Sequence, residues 1–574
     1  MVDIKKDEKL IVLNHSCAHL LAQAIKSIYP DALFWVGPVI AEGFYYDIDL
    51  GDEVIAYEDL AKIEQEMKKL AKKDKWIKKE IISKEAAKEL FQYDSYKLDL
   101  IEDLDEISIY RQDDFVDLCK GPHVDSTKQL KYFKLLKVSG AYYKGDSKNK
   151  MLQRVYGICF YNEADLNNHL TFLEEVKKRD HRKLGKELGL FMISEYGAGF
   201  PFWLPNGMIV YRLLEDFWYQ EHIKEGYQFI KTPIMLDRDL WEISGHYENY
   251  KDNMYFSVID DKEYAIKPMN CPGGLLVYKN SLYSYKDFPL RIGELGLVHR
   301  HEASGALSGL LRVRTFTQDD AHIFMTEDQI ESEIINLINF IDRIYKVFNL
   351  NYSIELSTRP SEKYIGEIKT WDLAEKALAS ACKNAGKEFM VNEGDGAFYG
   401  PKLDFKIKDA INREWQCGTI QLDMNLPERF DLVYVDKDGS KKRPIMIHRV
   451  IYGAIERFIG ILIEHYTGNF PLWLSPIQMV VVPVNNEYHL GYAEEIKKEL
   501  LLNGIRVELD SRDEKLSYKM RDSQTKKIPY TLIIGDIEKE NKTISYRKYS
   551  EKDTKSLSIE IFVKMVKEEI ENKK

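Results

Sequence analysis

Two pairs of ligand-type residues, His15 and His19 in HSCAHLLAQAIKSIYP and Cys119 and His123 in DLCKGPHV, repeat one spacing of four residues in well-separated parts of the chain. If the four act together, the N-terminal stretch must fold so that a helix and a turn meet at one point. The first segment has an apolar run with no Gly or Pro, so it predicts a helix in which residues i and i+4 share a face. The second places Lys-Gly-Pro between a thiol and an imidazole, a tight turn that holds the two groups in fixed relation. A helical HxxxH alone is more often packing or surface than chemistry. With the second pair beside it, the quartet reads as a metal or hydrolytic site.

At 574 residues the chain exceeds what one hydrophobic core can hold, so several domains are expected. The pattern divides into an α+β region over 1–160, a charged connecting helix over 161–186, a larger region over 187–472 and an α/β region over 473–574. In the third, closely spaced strand candidates favour an antiparallel sheet. In the last, IQMVVVPV, YAEEIKKELLLNG, IRVELD and IPYTLIIGD alternate as strand, helix, strand, strand. The fold class is thus multidomain α+β and α/β. No apolar run approaches the ~20 residues that span a bilayer, and the charged N-terminus is not a secretory leader, so no membrane partner and a cytoplasmic address are expected. Six scattered cysteines do not form the framework of a secreted domain. A net charge of -11 opposes indiscriminate nucleic-acid binding and leaves a local RNA surface open.

The densest chemistry lies in VHRHEASGALSGLLRVRTFTQDDAHIF, where Arg300 and Glu302 precede a Gly/Ser-rich turn and Arg312, Arg314, Gln318, Asp319, Asp320 and His322 follow it. Two arginine-bearing strands joined by a loop suit bidentate phosphate contacts, with Phe316 as an aromatic face for a base. The competing reading is an exposed hairpin with salt-bridged charges.

These strings, with DLCKGPHV, KPMNCPGG, FYGPKLDFK, EWQCGTIQLD and HRVIYGAIERFIG, resemble in order and position the threonyl-tRNA synthetases, a family of class II aminoacyl-tRNA synthetases. The resemblance implies ATP-dependent activation of L-threonine and its transfer to the 3' end of tRNA(Thr). GYQFIKTPIM matches the first class II motif, with Pro233 at the interface of a homodimer. Arg300 is implied at the α-phosphate of ATP, Glu302 and Phe316 at the adenine, Arg457 at the γ-phosphate and Arg312 beside them, with Mg²⁺ on the phosphates, and Lys402 is implied as a catalytic residue near the threonine pocket. Cys271, His322 and His448 are implied as ligands of one Zn²⁺ per subunit. Gln318, Asp320, Tyr399 and Gln416 are implied in the threonine pocket.

Serine keeps the hydroxyl that such a pocket reads and lacks only a methyl, a difference of ~1–3 kcal/mol. That shortfall gives the quartet a purpose. His15, His19, Cys119 and His123, with Asp117, resemble an editing site that hydrolyses mischarged seryl-tRNA(Thr). The C-terminal region resembles an anticodon-binding domain, with Glu538 and Arg547 at base-reading positions. The resemblance also implies a form without the small N-terminal β-rich domain of most bacterial relatives. Gly274, Ser308 and Ala303 depart from the family's usual residues. Two other readings are a catalytically silent RNA-binding regulator and a free-standing hydrolase of misacylated tRNA. Intact Arg300, Arg457 and zinc-ligand positions argue against both.

Overall fold

The computed structural model describes residues 3–573, and the chain divides into two compact units, 1–175 and 176–574. In the first, the helix Glu8–Ile28 starts at Asp7, whose carboxylate accepts the N–H groups of Lys9 and Leu10. Leu13, Cys17, Leu20, Leu21, Ala24 and Ile25 recur at helical spacing and are fully buried. They pack with Phe44, Tyr46, Phe133, Leu135 and Val155 of an antiparallel sheet built on Gly43–Asp49, Tyr132–Tyr142 and Met151–Phe160. Each buried leucine contributes about 1.5–3 kcal/mol. Asn14 fixes the helix to the sheet, giving its amide N–H to the Cys159 carbonyl and accepting the Cys159 N–H.

A second, three-stranded sheet, Ile77–Ile82, Ile107–Gln112 and Phe115–Leu118, carries Asp117 on its last strand and Cys119 just beyond it. Ser108 holds that exit at both ends. Its carbonyl accepts the Cys119 N–H and its hydroxyl donates to the Cys119 carbonyl.

The connecting region corrects one expectation, since two helices, Glu163–Arg179 and His181–Glu187, replace a single one. Asp180 breaks them because its side chain caps the second by accepting the Arg182 N–H. The second helix is not a solvated spacer either, because His181 and Leu184 are buried.

The second unit is built on an eight-stranded sheet. Its order is Gln228–Phe229, Leu290–His299, Thr315–Met325, Ile445–Val450, Glu414–Asp423, Lys402–Lys408, Asn351–Ser357 and Met390–Asn392. The inner pairs are antiparallel and each edge pair is parallel. Helices Pro205–Lys224, Ile330–Val347, Ile368–Asn384 and Ile455–His465 contribute to its core. From Met479 onward a separate sheet pairs Val507–Leu509, Met479–Pro483 and Tyr530–Ile534 in parallel, then adds Thr543–Lys548 and Lys555–Ser558 antiparallel. Among the described residues no helix is long and apolar enough to cross a membrane.

Candidate active sites

In the first unit the helix and the turn do meet. Cys119 Sγ lies 3.2 Å from His15 Nε2 and 3.2 Å from His123 Nε2. The Ser16 hydroxyl donates to the Val12 carbonyl and lies 3.1 Å from His123 Nδ1. It therefore accepts from that nitrogen, which leaves Nε2 of His123 as a bare lone pair facing the thiol. The ligand atoms of His15, His19, Cys119 and His123 all lie within 4.8 Å of one another. Gly121 makes the turn possible: its φ is +72°, and a Cβ there would stand 2.0 Å from the Tyr110 hydroxyl.

Burial sets the charge state. It lowers the pKa of His15 against an opposing pull from Asp117, and lowers that of His19 further with help from His15 and Lys97. It lowers His123 as well, and raises the Cys119 thiol to about 11. Neutral imidazoles beside an un-ionised thiol can hold a water and take its proton, whereas the thiol is not poised as a nucleophile.

Behind them, Asp117 Oδ2 lies 3.6 Å from His19 Nδ1 and 2.5 Å from the Tyr46 hydroxyl. Lys97 Nζ sits 2.5 Å from Asp117 Oδ1. Lys97 and Tyr46 are site residues that reading the sequence missed. Lys97 stands among ordinary charged residues in SYKLDLIE and only the fold buries it, at 3 % exposed.

In the second unit, Cys271 opens the helix Cys271–Lys279, and His322 and His448 are direct register partners on neighbouring strands. All three are buried, with ligand atoms within 4.8 Å of one another. Nε2 of His322 and Nδ1 of His448 are buried without a hydrogen-bond partner. Asp423 explains the His448 orientation, because its carboxylate lies 2.8 Å from Nε2 and turns Nδ1 towards the cluster. A thiol and two unpartnered imidazole nitrogens could hold a metal ion and would leave one of four tetrahedral positions open.

A cavity of about 150 Å³ opens from this cluster, lined by Cys271, Arg300, Gln318, Asp320, Tyr399 and His448 among others. It shares Arg300, Gln318 and Thr419 with a second cavity of about 290 Å³, which adds Glu302, Arg312, Phe316, Gln416 and Arg457. The two cavities thus adjoin at Arg300, Gln318 and Thr419. Arg312 pairs with Glu302 at 2.8 Å, and the Arg300 guanidinium lies 5.0 Å from the Phe316 ring centre.

Lys402 lines neither cavity. Its ammonium is 2.8 Å from Asp404, which also receives Gln416 Nε2 at 2.7 Å. Asp319, its pKa raised to about 7 by burial against the pull of Arg449, accepts the N–H groups of Ile451, Tyr452 and Gly453.

Glu538 and Arg547 each have partners of their own within the C-terminal region. The Glu538 carboxylate takes the Gly535 N–H and the Ser545 hydroxyl, and Arg547 bonds to Thr554. Pro233 is exposed, with Ile234 and Met235 beside it.

Three family profiles match the chain. They are the tRNA synthetase class II core domain (G, H, P, S and T) over residues 256–466, the anticodon binding domain over 478–569, and the threonyl and alanyl tRNA synthetase second additional domain over 107–156. The chain is 55% identical over 564 residues to a threonine-tRNA ligase of Acetivibrio thermocellus, covering 97% of this chain and 88% of that one. It is 56% identical over 576 residues to a threonine-tRNA ligase of Fusobacterium nucleatum, covering 99% of this chain and 92% of that one. Among solved structures it resembles the RNA binding domain of threonyl-tRNA synthetase from Cryptosporidium parvum Iowa II, with a TM-score of 0.66 and 40% identity over 68% of this chain and 98% of that one.

Proposed function

The chain belongs to the threonine-tRNA ligase family, a class II synthetase family that charges tRNA with threonine and edits the product, and from that premise we propose roles for its two sites. One observation supports the reading of the synthetic site: the buried Cys271, His322 and His448, with unpartnered imidazole nitrogens, adjoin a cavity that shares Arg300, Gln318 and Thr419 with the one lined by Arg457. Cys271, His322 and His448 would hold Zn²⁺, which supplies a Lewis-acid contact for the amine and hydroxyl of threonine. Valine, an isostere without the hydroxyl, leaves that contact incomplete.

Asp320 accepts a hydrogen bond from the threonine hydroxyl, while Gln318 and Tyr399 shape the pocket and Gln416 lines the adjoining larger cavity. Arg300 sits at the α-phosphate and stabilises the charge that develops as the carboxylate attacks and pyrophosphate leaves. Arg457 and Arg312 hold the outer phosphates with Mg²⁺, and Phe316 and Glu302 contact the adenine. Lys402 lies outside both cavities and acts through Asp404, which also holds Gln416. No covalent enzyme intermediate is needed, since positioning and charge stabilisation suffice.

At the second site, a neutral imidazole of His15 or His19 takes a proton from the water that attacks the ester of seryl-tRNA(Thr), and the tRNA 3' hydroxyl leaves with that proton. Cys119 donates to the bare imidazole nitrogen and Asp117 orients His19. Glu538 and Arg547 read anticodon bases, Pro233 and its exposed apolar neighbours meet a second copy in a homodimer, and the protein works in the cytoplasm.

The editing half is tested by substitution in the full chain. With serine, ATP and tRNA(Thr), His19→Ala should accumulate seryl-tRNA while threonylation persists. Clearance of seryl-tRNA at the wild-type rate would sink the assignment.

A further inference from the structure

His181 has no part in the chemistry above, yet it is buried and every polar atom of its ring is engaged. Its Nδ1 lies 2.6 Å from Glu464 Oε1, and its Nε2 accepts the Leu310 N–H at 3.0 Å. The tautomer follows: the proton is on Nδ1, given to the carboxylate, and the lone pair on Nε2 receives the backbone donor. Asp180, His181 and Glu464 cluster closely enough to suggest a metal site. Both imidazole nitrogens are used, however, and Asp180 is paired with Arg182 at 2.6 Å, so no ligand atom is left for one.

What the ring holds is the end of the loop that follows Arg300 and Glu302. Gly309 lies directly on it: its φ is +50°, and a Cβ there would stand 2.1 Å from His181 Nε2. Leu310 and Leu311 line the 290 Å³ cavity, and the Leu311 carbonyl accepts Arg457 Nε at 3.0 Å. Arg457 and Glu464 stand on one helix, Ile455–His465, seven positions apart and hence on one face. That helix presses on the same segment at Gly460, where a Cβ would meet Leu310 and Leu311 side-chain atoms at 3.2 Å. Glu464 is itself held by Arg413. The contacts form a closed circuit from Glu464 through His181, Leu310 and Leu311 to Arg457 and back along the helix.

We propose that His181 is a positioning residue for ATP binding, fixing segment 309–312 against the helix that carries Arg457. The loop's earlier part, from Ala303 to Gly305, is exposed, so its register over the cavity depends on where its far end is tied. Release of that end moves the Leu311 carbonyl and with it the Arg457 guanidinium, while the threonine pocket, whose Gln318, Asp320, Thr419 and His448 stand on strands, stays in place.

This inference rests on the reading of the larger cavity as the ATP site. Its test is ATP-pyrophosphate exchange by the full chain, with ATP and threonine varied in turn, for wild type, His181→Ala, His181→Gln, Gly309→Ala and Arg457→Ala. Deacylation of seryl-tRNA by each preparation reports an intact first unit. His181→Ala should raise the KM for ATP on the order of tenfold or more, with the KM for threonine within about twofold of wild type. His181→Gln, whose side-chain oxygen reaches the place of Nε2, should recover most of the loss. Gly309→Ala should reproduce the defect from the loop side, and it decides the matter alone if His181→Ala does not fold.

An unchanged ATP dependence in His181→Ala and Gly309→Ala overturns the proposal. So does an equal rise for threonine, or a glutamine variant no better than alanine. If Arg457→Ala keeps wild-type ATP dependence, the ATP-site reading fails and takes the proposal with it. If Arg457→Ala loses ATP and the His181 and Gly309 variants do not, only the proposal fails.

Discussion

Single side chains decide which atoms face the substrates. His448 presents Nδ1 to the Cys271 cluster because Asp423 occupies Nε2 at 2.8 Å, fixing both tautomer and ring orientation. Such carboxylate partners typically govern metal affinity by 10- to 100-fold. Asp423→Asn should therefore weaken zinc retention by about that factor in a chelator competition and leave seryl-tRNA deacylation unchanged; wild-type retention would contradict the role. At the other site burial lowers the pKa of His15, His19 and His123, so their neutral, proton-accepting forms persist below the ordinary imidazole value. The deacylation rate should hold between pH 7.5 and 5.5. An ordinary imidazole, with pKa ≈ 6.5, would lose roughly tenfold over that whole range, and that loss would refute a buried base. Neither dependence was legible in the sequence. Asp423 and Lys97 become site residues only when strands and helices far apart in the chain bury them beside a histidine.

Elements with a strong local pattern were legible. The helix Glu8–Ile28 followed from its apolar spacing and lack of Gly and Pro, and the turn at Lys120-Gly121-Pro122 from its composition. What periodicity does not encode is which strands become neighbours. His322 and His448 face each other through the register of two strands from distant parts of the chain. The break at Asp180 also escaped notice, because a capping aspartate amid charged residues looks like any other solvated side chain. The turn offers a test at this scale. Gly121→Ala adds a Cβ 2.0 Å from the Tyr110 hydroxyl at a φ of +72°, so it should shift Cys119 and His123. A displacement of about 1 Å can cost ~10²-fold. Deacylation should fall by that order while threonine activation is kept; equal loss of both would indicate a general folding defect instead.

Across the whole molecule, the two chemistries occupy separate compact units, 1–175 and 176–574. The division suits an enzyme whose first selection falls short. A missing methyl discriminates serine by only ~1–3 kcal/mol, so a second, hydrolytic site carries the rest. A missing hydroxyl is different, because it leaves buried polar groups unpaired, and valine should be refused at the first site outright. The ordered motifs made the family legible along nearly the full chain, whereas the sharing of Arg300, Gln318 and Thr419 by two adjoining cavities emerged only in three dimensions.

The most direct test of this account is ATP-pyrophosphate exchange by the purified full chain, with threonine, serine and valine supplied separately and zinc measured in the same preparation. Strong exchange with threonine, weaker exchange with serine and negligible exchange with valine, at one zinc per chain, is the predicted result. No exchange with threonine despite bound zinc, or exchange with valine equal to that with threonine, would contradict it.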